Sequence, residues 1–164
     1  MLNRILTEAD CAECRLCCGF YESEIWEVPI IGDELAALIS GQYAFDIVNN
    51  QRVFKINYDE KGLHLCPALG KNGCRLGMSR PFDCKLWPFR AMKLGELIVI
   101  TVSPLCKTVN ELPLSELVEF VNLELMDKIK ARVAKYPAQV KDYVKGYPIL
   151  SSFSLSDLSA SRTS

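Results

Sequence analysis

Four cysteines fall within eight positions in the stretch CAECRLCC, residues 11 to 18, and the last two, Cys17 and Cys18, are adjacent. Nothing else in the chain restricts its folding as strongly. Eight cysteines occur in 164 residues, an even count that would allow four disulfides. A bond between Cys17 and Cys18 is disfavoured, because neighbouring Cα atoms sit closer than a relaxed disulfide wants. Disulfide scaffolds also belong to short exported chains with little core. About half of these residues are apolar, enough to build a core without staples. The start, MLNRILTEADCAEC, has no apolar stretch of the signal-peptide kind. The chain therefore reads as cytoplasmic and reduced, a setting in which clustered thiols serve as metal ligands or redox groups.

The spacing supports that reading. Wound on a helix at about 100° per residue, Cys11, Cys14, Cys17 and Cys18 fall within an arc of roughly 120°. Looped instead, C-x2-C-x2-C matches the first part of a bacterial ferredoxin ligand run. A second set, Cys66, Cys74 and Cys84, lies in CPALGKNGCRLGMSRPFDCKLWPF, and Cys106 follows in SPLC. Each has a Pro or Gly near it that lets the backbone bend around an ion. Thiolates favour soft or borderline metals, so zinc and iron–sulfur clusters lead the candidates.

Charge adds to this. Residues 66 to 90 carry Lys71, Arg75, Arg80, Lys85 and Arg90 against the single acid Asp83. Four thiolates around zinc or a four-iron cluster leave net negative charge, which such cations offset. His64, the one histidine, stands two residues before Cys66; a packed or solvated ring is the ordinary reading, and ligation the alternative. Trp26, Trp87 and Phe89 read as core aromatics. A net charge of −1 speaks against a broad nucleic-acid surface, and no apolar run is long enough to span a membrane. A redox or protein partner is open.

The expected fold is α+β and one domain over 1–150, with a Ser-rich tail at 151–164 that is either loose or lays Phe153, Leu155 and Leu158 against the body. A strand is expected over 24–31 and a helix from Asp33 closed by Gly41. A hairpin is expected over 51–65 turning at Asp59–Gly62, then a Cys-rich loop over 66–90. Two further strands over 91–103 turn at Gly95. From Leu114 to Tyr136, Leu114, Leu117, Val118, Val121, Leu125, Ile129 and Val133 recur at helical spacing, with Ser115 or Thr108 as candidate caps and Pro137 as the stop. A shorter helix is expected over 137–146. The hairpins form a small antiparallel sheet packed on the long amphipathic helix, with the metal-binding loops gathered at one end.

These residues resemble a known family. Cys11-x2-Cys14-x2-Cys17-Cys18, then Cys66-Pro67, Cys74, Arg80-Pro81, Cys84 and the LWPF ending are similar to the CxxCxxCC, or YkgJ-type, cysteine-cluster proteins, described as zinc- or iron-chelating domains. The resemblance spans about residues 8 to 106. It implies metal ligands at Cys11, Cys14, Cys17, Cys18, Cys66, Cys74 and Cys84, with Cys106 at its edge. It also implies a bound metal, and the ferredoxin-like spacing, Cys66-Pro67 and the flanking cations point to a [4Fe–4S] cluster for electron transfer or an accessory or sensor role. Structural Zn2+ in one or two four-cysteine sites is the alternative. A thiol-redox enzyme or transferase related to the flagellin lysine methylases is a third; the chain is shorter than those enzymes and shows no S-adenosylmethionine motif.

Overall fold

The computed structural model describes residues 2–21, 27–58 and 63–160. The chain, expected as one domain, forms two compact units, Leu2–Trp87 and Pro88 onward. Both mix helix and strand, and no helix among the described residues is long and apolar enough to cross a membrane.

The first unit opens with α1 (Glu8–Cys14), a one-residue hinge and a 3-10 turn over Leu16–Cys18. There follow β1 (Gly19–Phe20), α2 (Asp33–Leu38), β2 (Phe45–Val48), β3 (Gln51–Phe54), β4 (Asn57–Tyr58), β5 (His64–Leu65), β6 (Leu69–Gly70), β7 (Gly73–Cys74) and α3 (Phe82–Leu86). α2 ends as expected near Gly41, whose φ of 77° suits glycine. The strand expected over 24–31 lies partly outside the described residues; its remainder makes one bridge, Ile30 to Val53. The expected hairpin over 51–65 divides in two. β2 pairs with β3 through Asn49–Asn50, both at positive φ (49° and 58°), a conformation asparagine tolerates in two-residue turns. β4 pairs with β5, with Tyr58 opposite His64, and the turn expected at Asp59–Gly62 lies outside the described residues. The core gathers Phe20, Val28, Ile31, Ile39, Val53, Phe54, Ala68 and one thiol, Cys66.

The second unit holds β8 (Phe89–Leu94), β9 (Leu97–Val102), α4 (Lys107–Asn110), α5 (Leu114–Phe120), α6 (Met126–Lys135), β10 (Lys141–Asp142), β11 (Ile149–Ser154) and α7 (Leu155–Ala160). Its sheet has the order β10-β8-β9-β11. β8 and β9 turn at Gly95 as expected, in full register from Phe89 opposite Val102 to Leu94 opposite Leu97. Gly95 has φ 59°, and a Cβ built there would meet nothing within 4 Å. Gly95→Ala should therefore lose only the left-handed backbone preference, about 1 kcal/mol in thermal or denaturant unfolding.

Three expectations are corrected here. The sheet is not wholly antiparallel, since β10 runs parallel to β8, with Lys141 opposite Met92. The helix expected over 137–146 is only a 3-10 turn at Pro137–Gln139, because the residues after it are drawn into that edge pairing. Ser151–Ser154, placed in a tail, belong to β11, which runs antiparallel to β9 and buries Leu150 and Phe153.

The long helix runs from Leu114 to Lys135, with a π turn at Val121–Leu125 joining α5 to α6. Its buried stripe steps by four: Leu117, Val121, Leu125, Ile129, Val133. On an ideal α-helix each four-residue step overshoots a full turn by about 40°. The wider π turn takes back part of that drift and keeps the stripe on one face. Neither Ser115 nor Thr108 caps it; Pro113 is the N-cap and no side chain bonds there. Leu114, expected in the stripe, is exposed.

Candidate metal centre

Six of the seven cysteines of the first unit stand on short regular elements, where a loop is expected over 66–90 and helix or loop is open for 11–18. Cys11 and Cys14 lie on α1, Cys17 and Cys18 on the 3-10 turn, Cys74 on β7 and Cys84 on α3. Cys66 directly follows β5.

α1 starts with a capping box. The Thr7 hydroxyl accepts from the Asp10 N–H at 3.2 Å, and the Asp10 carboxylate accepts from the Thr7 N–H at 2.8 Å. The Thr7 hydroxyl also donates to that carboxylate, at 2.6 Å, and this bond first, then the one from the Thr7 N–H, holds the Asp10 carboxyl below its usual range. The helix does not continue to Cys18. Arg15 turns left-handed at φ 56°, its N–H donating to the Cys11 carbonyl, and the chain tightens into the 3-10 turn. The single 120° arc is thereby broken: Cys11 and Cys14 share one element, and Cys17 and Cys18 the next. Cys14 is exposed and Cys11 half-buried.

Strand pairing brings the second cysteine set to the first. β1 pairs with β5, Gly19 opposite Leu65, so the residues flanking that pair meet, and the Cys66 N–H donates to the Cys18 carbonyl at 2.9 Å. The Cys66 carbonyl accepts from the Leu69 N–H at 3.0 Å, which starts β6. β6 turns through two residues into β7 and sets Leu69 opposite Cys74. Pro81 then begins α3 and carries Cys84 on its first turns.

The thiols sense one another. The Cys17 and Cys18 sulfurs are 4.0 Å apart. The bond to Cys17 raises the Cys18 thiol most, then burial, with Cys17, Cys66 and Cys84 adding to the effect. Burial first, and then Cys74 and Cys17, push Cys66 from 9.0 up to about 11. Cys84 is raised well above its ordinary range by burial, Asp83, Cys66, Cys17 and Cys74. Five sulfurs from four chain segments thus share one electrostatic neighbourhood, with Cys66 acting on or feeling each of the others. None of the eight cysteines is joined in a disulfide. Among the described residues, no three His, Cys, Asp or Glu side chains stand in finished ligand geometry. The sulfurs are neighbours at electrostatic range, short of a closed cage.

The donor set fits a thiophilic cation. Packed neutral thiols that resist ionising beside one another would be relieved by positive charge among them. Two thiolates on one tetrahedral zinc stand about 3.8 Å apart, given a Zn–S bond of about 2.3 Å, close to the 4.0 Å of Cys17 and Cys18.

Cys106 belongs to the second unit, where it is the one cysteine in sequence. It is buried at the N-cap of α4, and its carbonyl accepts from the Asn110 N–H and side-chain amide. His64 is buried on β5 opposite Phe20, as a packed ring would be. Of the cations, Lys71 and Arg75 are exposed beside the β6–β7 hairpin, and Arg80 donates to the Gly77 carbonyl at 3.0 Å. Arg90 lies on β8 in the other unit. Trp26 is outside the described residues. Arg15 was not singled out from sequence; its place between Cys14 and Cys17 was the available signal. No family model, curated protein or solved structure matches the chain.

Proposed function

We propose that the first unit is a metal-binding module of the YkgJ-type cysteine-cluster kind, its thiolates holding a [4Fe–4S] cluster for electron transfer or an accessory or sensor role. One observation carries the reading: Cys17, Cys18, Cys66, Cys74 and Cys84 arrive from separate segments into one neighbourhood and form no disulfides. Cys11 and Cys14, one helical turn apart on α1, are further ligands in this reading. The C-x2-C-x2-C opening favours the cluster over a bare ion, and the cations Lys71, Arg75, Arg80 and Lys85 would offset the charge of either. When bound, the cluster would supply one-electron redox chemistry at its irons. The protein's own part is to exclude water and hold protons. Phe20, Phe54 and Val28 pack in the core that includes Cys66, and the raised thiols keep their protons until a cation displaces them.

A second reading is structural zinc, favoured by the 4.0 Å Cys17–Cys18 separation. Metal analysis and a visible spectrum of protein purified without oxygen separate the two. Iron with acid-labile sulfide and broad visible absorption supports the cluster. A colourless protein with stoichiometric zinc replaces it by the second reading, and folded protein free of both metals refutes the proposal.

The pH dependence differs in sign between the free and loaded protein. A thiol whose folded pKa is raised stabilises the fold fully below its unfolded value and loses that contribution as pH climbs through the folded value. For Cys66 that window runs from 9.0 to about 11, so the melting temperature of metal-free protein should decline across it. Metal uptake displaces the same protons, so apparent zinc affinity should rise with pH below the window. The expected rise is about tenfold per pH unit for each proton displaced, read by competition titration between pH 6 and 8. A flat affinity over that range would contradict thiol ligation.

A further inference from the structure

Arg15 stands between Cys14 and Cys17 with φ 56° and ψ 1°, a conformation that a side chain with a Cβ keeps only when its surroundings hold it there. The guanidinium does the holding. Its Nε donates to the Ala12 carbonyl at 2.9 Å, and Nη2 donates to the Lys71 carbonyl, fifty-six residues further along the chain. Lys71 lies in the two-residue turn of the β6–β7 hairpin, which carries Cys74. Beside this bond α1 packs directly on the hairpin. A Cβ placed on Gly73 would lie 3.5 Å from that of Ala12, and Gly73 itself has φ 105°. Two contacts therefore join α1 and its hinge to the β6–β7 hairpin. Only arginine suits the first of them, because its planar fork of N–H groups can reach two carbonyls at once.

We infer that Arg15 is a positioning residue of the metal centre: a latch that seats the Cys11–Cys18 segment on the Cys66–Cys74 hairpin so that thiols of both can meet one ion. The inference rests on the metal-binding reading above. It accounts for the break in α1. Turning the chain at Arg15 lifts Cys17 and Cys18 off the helix and onto the 3-10 turn, where the Cys18 carbonyl meets the Cys66 N–H. The latch uses no sulfur, so it can set this arrangement before metal arrives and lower the ordering that binding requires.

Arg15→Gly tests it, because the two possible roles of the residue give opposite results. Glycine accepts the left-handed backbone more readily than arginine but makes neither hydrogen bond. The full-length reduced protein is titrated with Co2+, followed by its thiolate-to-metal absorption, and with Zn2+ in competition with a chromophoric chelator. A latch predicts affinity weakened about ten- to a hundredfold, with a smaller or shifted cobalt band and a metal-free melting temperature at or above that of the wild type. Arg15→Lys, which keeps the charge but cannot span both carbonyls, should fall between, and it decides the matter if the glycine variant does not fold. Binding within twofold of wild type with an unaltered band overturns the latch. So does a loss of affinity matched by an equal loss of metal-free stability. Wild-type protein that binds neither ion refutes the metal-binding reading itself, a result the variants cannot mimic.

Discussion

Cys66→Ser should emerge from purification without metal under conditions that load the wild type, and it should be the most damaging of the single cysteine substitutions. Cys66 acts on or feels Cys17, Cys18, Cys74 and Cys84. Its N–H ties the first cysteine segment to the second, and its side chain is buried in the apolar core of the first unit. Serine keeps the backbone bond but offers a hard hydroxyl that does not ionise at neutral pH, so the ligand is lost. Because metal binding and folding are linked, the loaded protein should lose metal and melting temperature together. The metal-free protein isolates the rest. There a hydroxyl replaces a thiol among Phe20, Val28 and Phe54, where the Ala68 and Leu69 N–H groups that bond the sulfur can also bond the oxygen, so the melting temperature should fall less than in the loaded protein. Cys14→Ser is the contrast. That thiol is exposed, so its metal-free melting temperature should move little, and the deficit should appear only in the loaded protein, as metal and the stability that metal adds, lost together. Elemental analysis beside calorimetry with and without chelator reads both. Metal content in Cys66→Ser equal to wild type would remove Cys66 from the site and the proposed centre with it.

The legibility of this chain follows the range of the interactions involved. Period-two and helical spacing are local signals, and they locate β8, the Gly95 turn, β9 and the long helix within a few residues. Cysteine spacing is also local, and of the eight residues it singles out, Cys17, Cys18, Cys66, Cys74 and Cys84 share one neighbourhood. What it leaves open is how they converge, because β1–β5 pairing joins segments more than forty residues apart, and nothing in the first announces the second. The break at Arg15 was hidden for a related reason. A left-handed arginine is unfavourable on its own, and the bond to Lys71 that supports it comes from a distant hairpin. The short helix α3 lies in a stretch that reads as loop, because five residues are too few to show a period, and for the same reason the spacing around α1 leaves helix and loop open. The helix expected over 137–146 failed in the opposite direction: local propensity yielded to an edge pairing with β8. The Ser-rich composition of residues 151–154 masked a strand whose inward positions are still apolar, Leu150 and Phe153. Thr101, fully buried on β9, gives the same lesson, since its hydroxyl reaches the Arg90 carbonyl across the sheet at 3.4 Å.

The second unit depends on a residue outside the four-step stripe, and it supplies the other large effect. Phe120 is the last residue of α5, immediately before the π turn, and is 0% exposed. Its ring stacks on Phe89 at 5.8 Å between centroids, with 30° between the planes. Phe89 begins β8, so this pair fastens the long helix to the sheet where the helix changes its winding. Truncation to alanine removes the ring from a closed interior that can collapse only in part, because the flanking positions Leu117 and Val121 are themselves fixed on the helix. The expected cost is about 3–5 kcal/mol, including the stacking of the pair, which contributes about 0.5–1.5 kcal/mol beyond buried area. The melting temperature should fall by roughly 10 °C or more. Leu123→Ala is the control three residues on, 72% exposed within the π turn itself, where a change within about 0.5 kcal/mol is expected. Denaturant unfolding of the two variants side by side measures the difference. A Phe120→Ala protein as stable as Leu123→Ala would mean that the helix is not held to the sheet at this pair, and that the buried stripe from Leu117 to Val133 is enough to seat it.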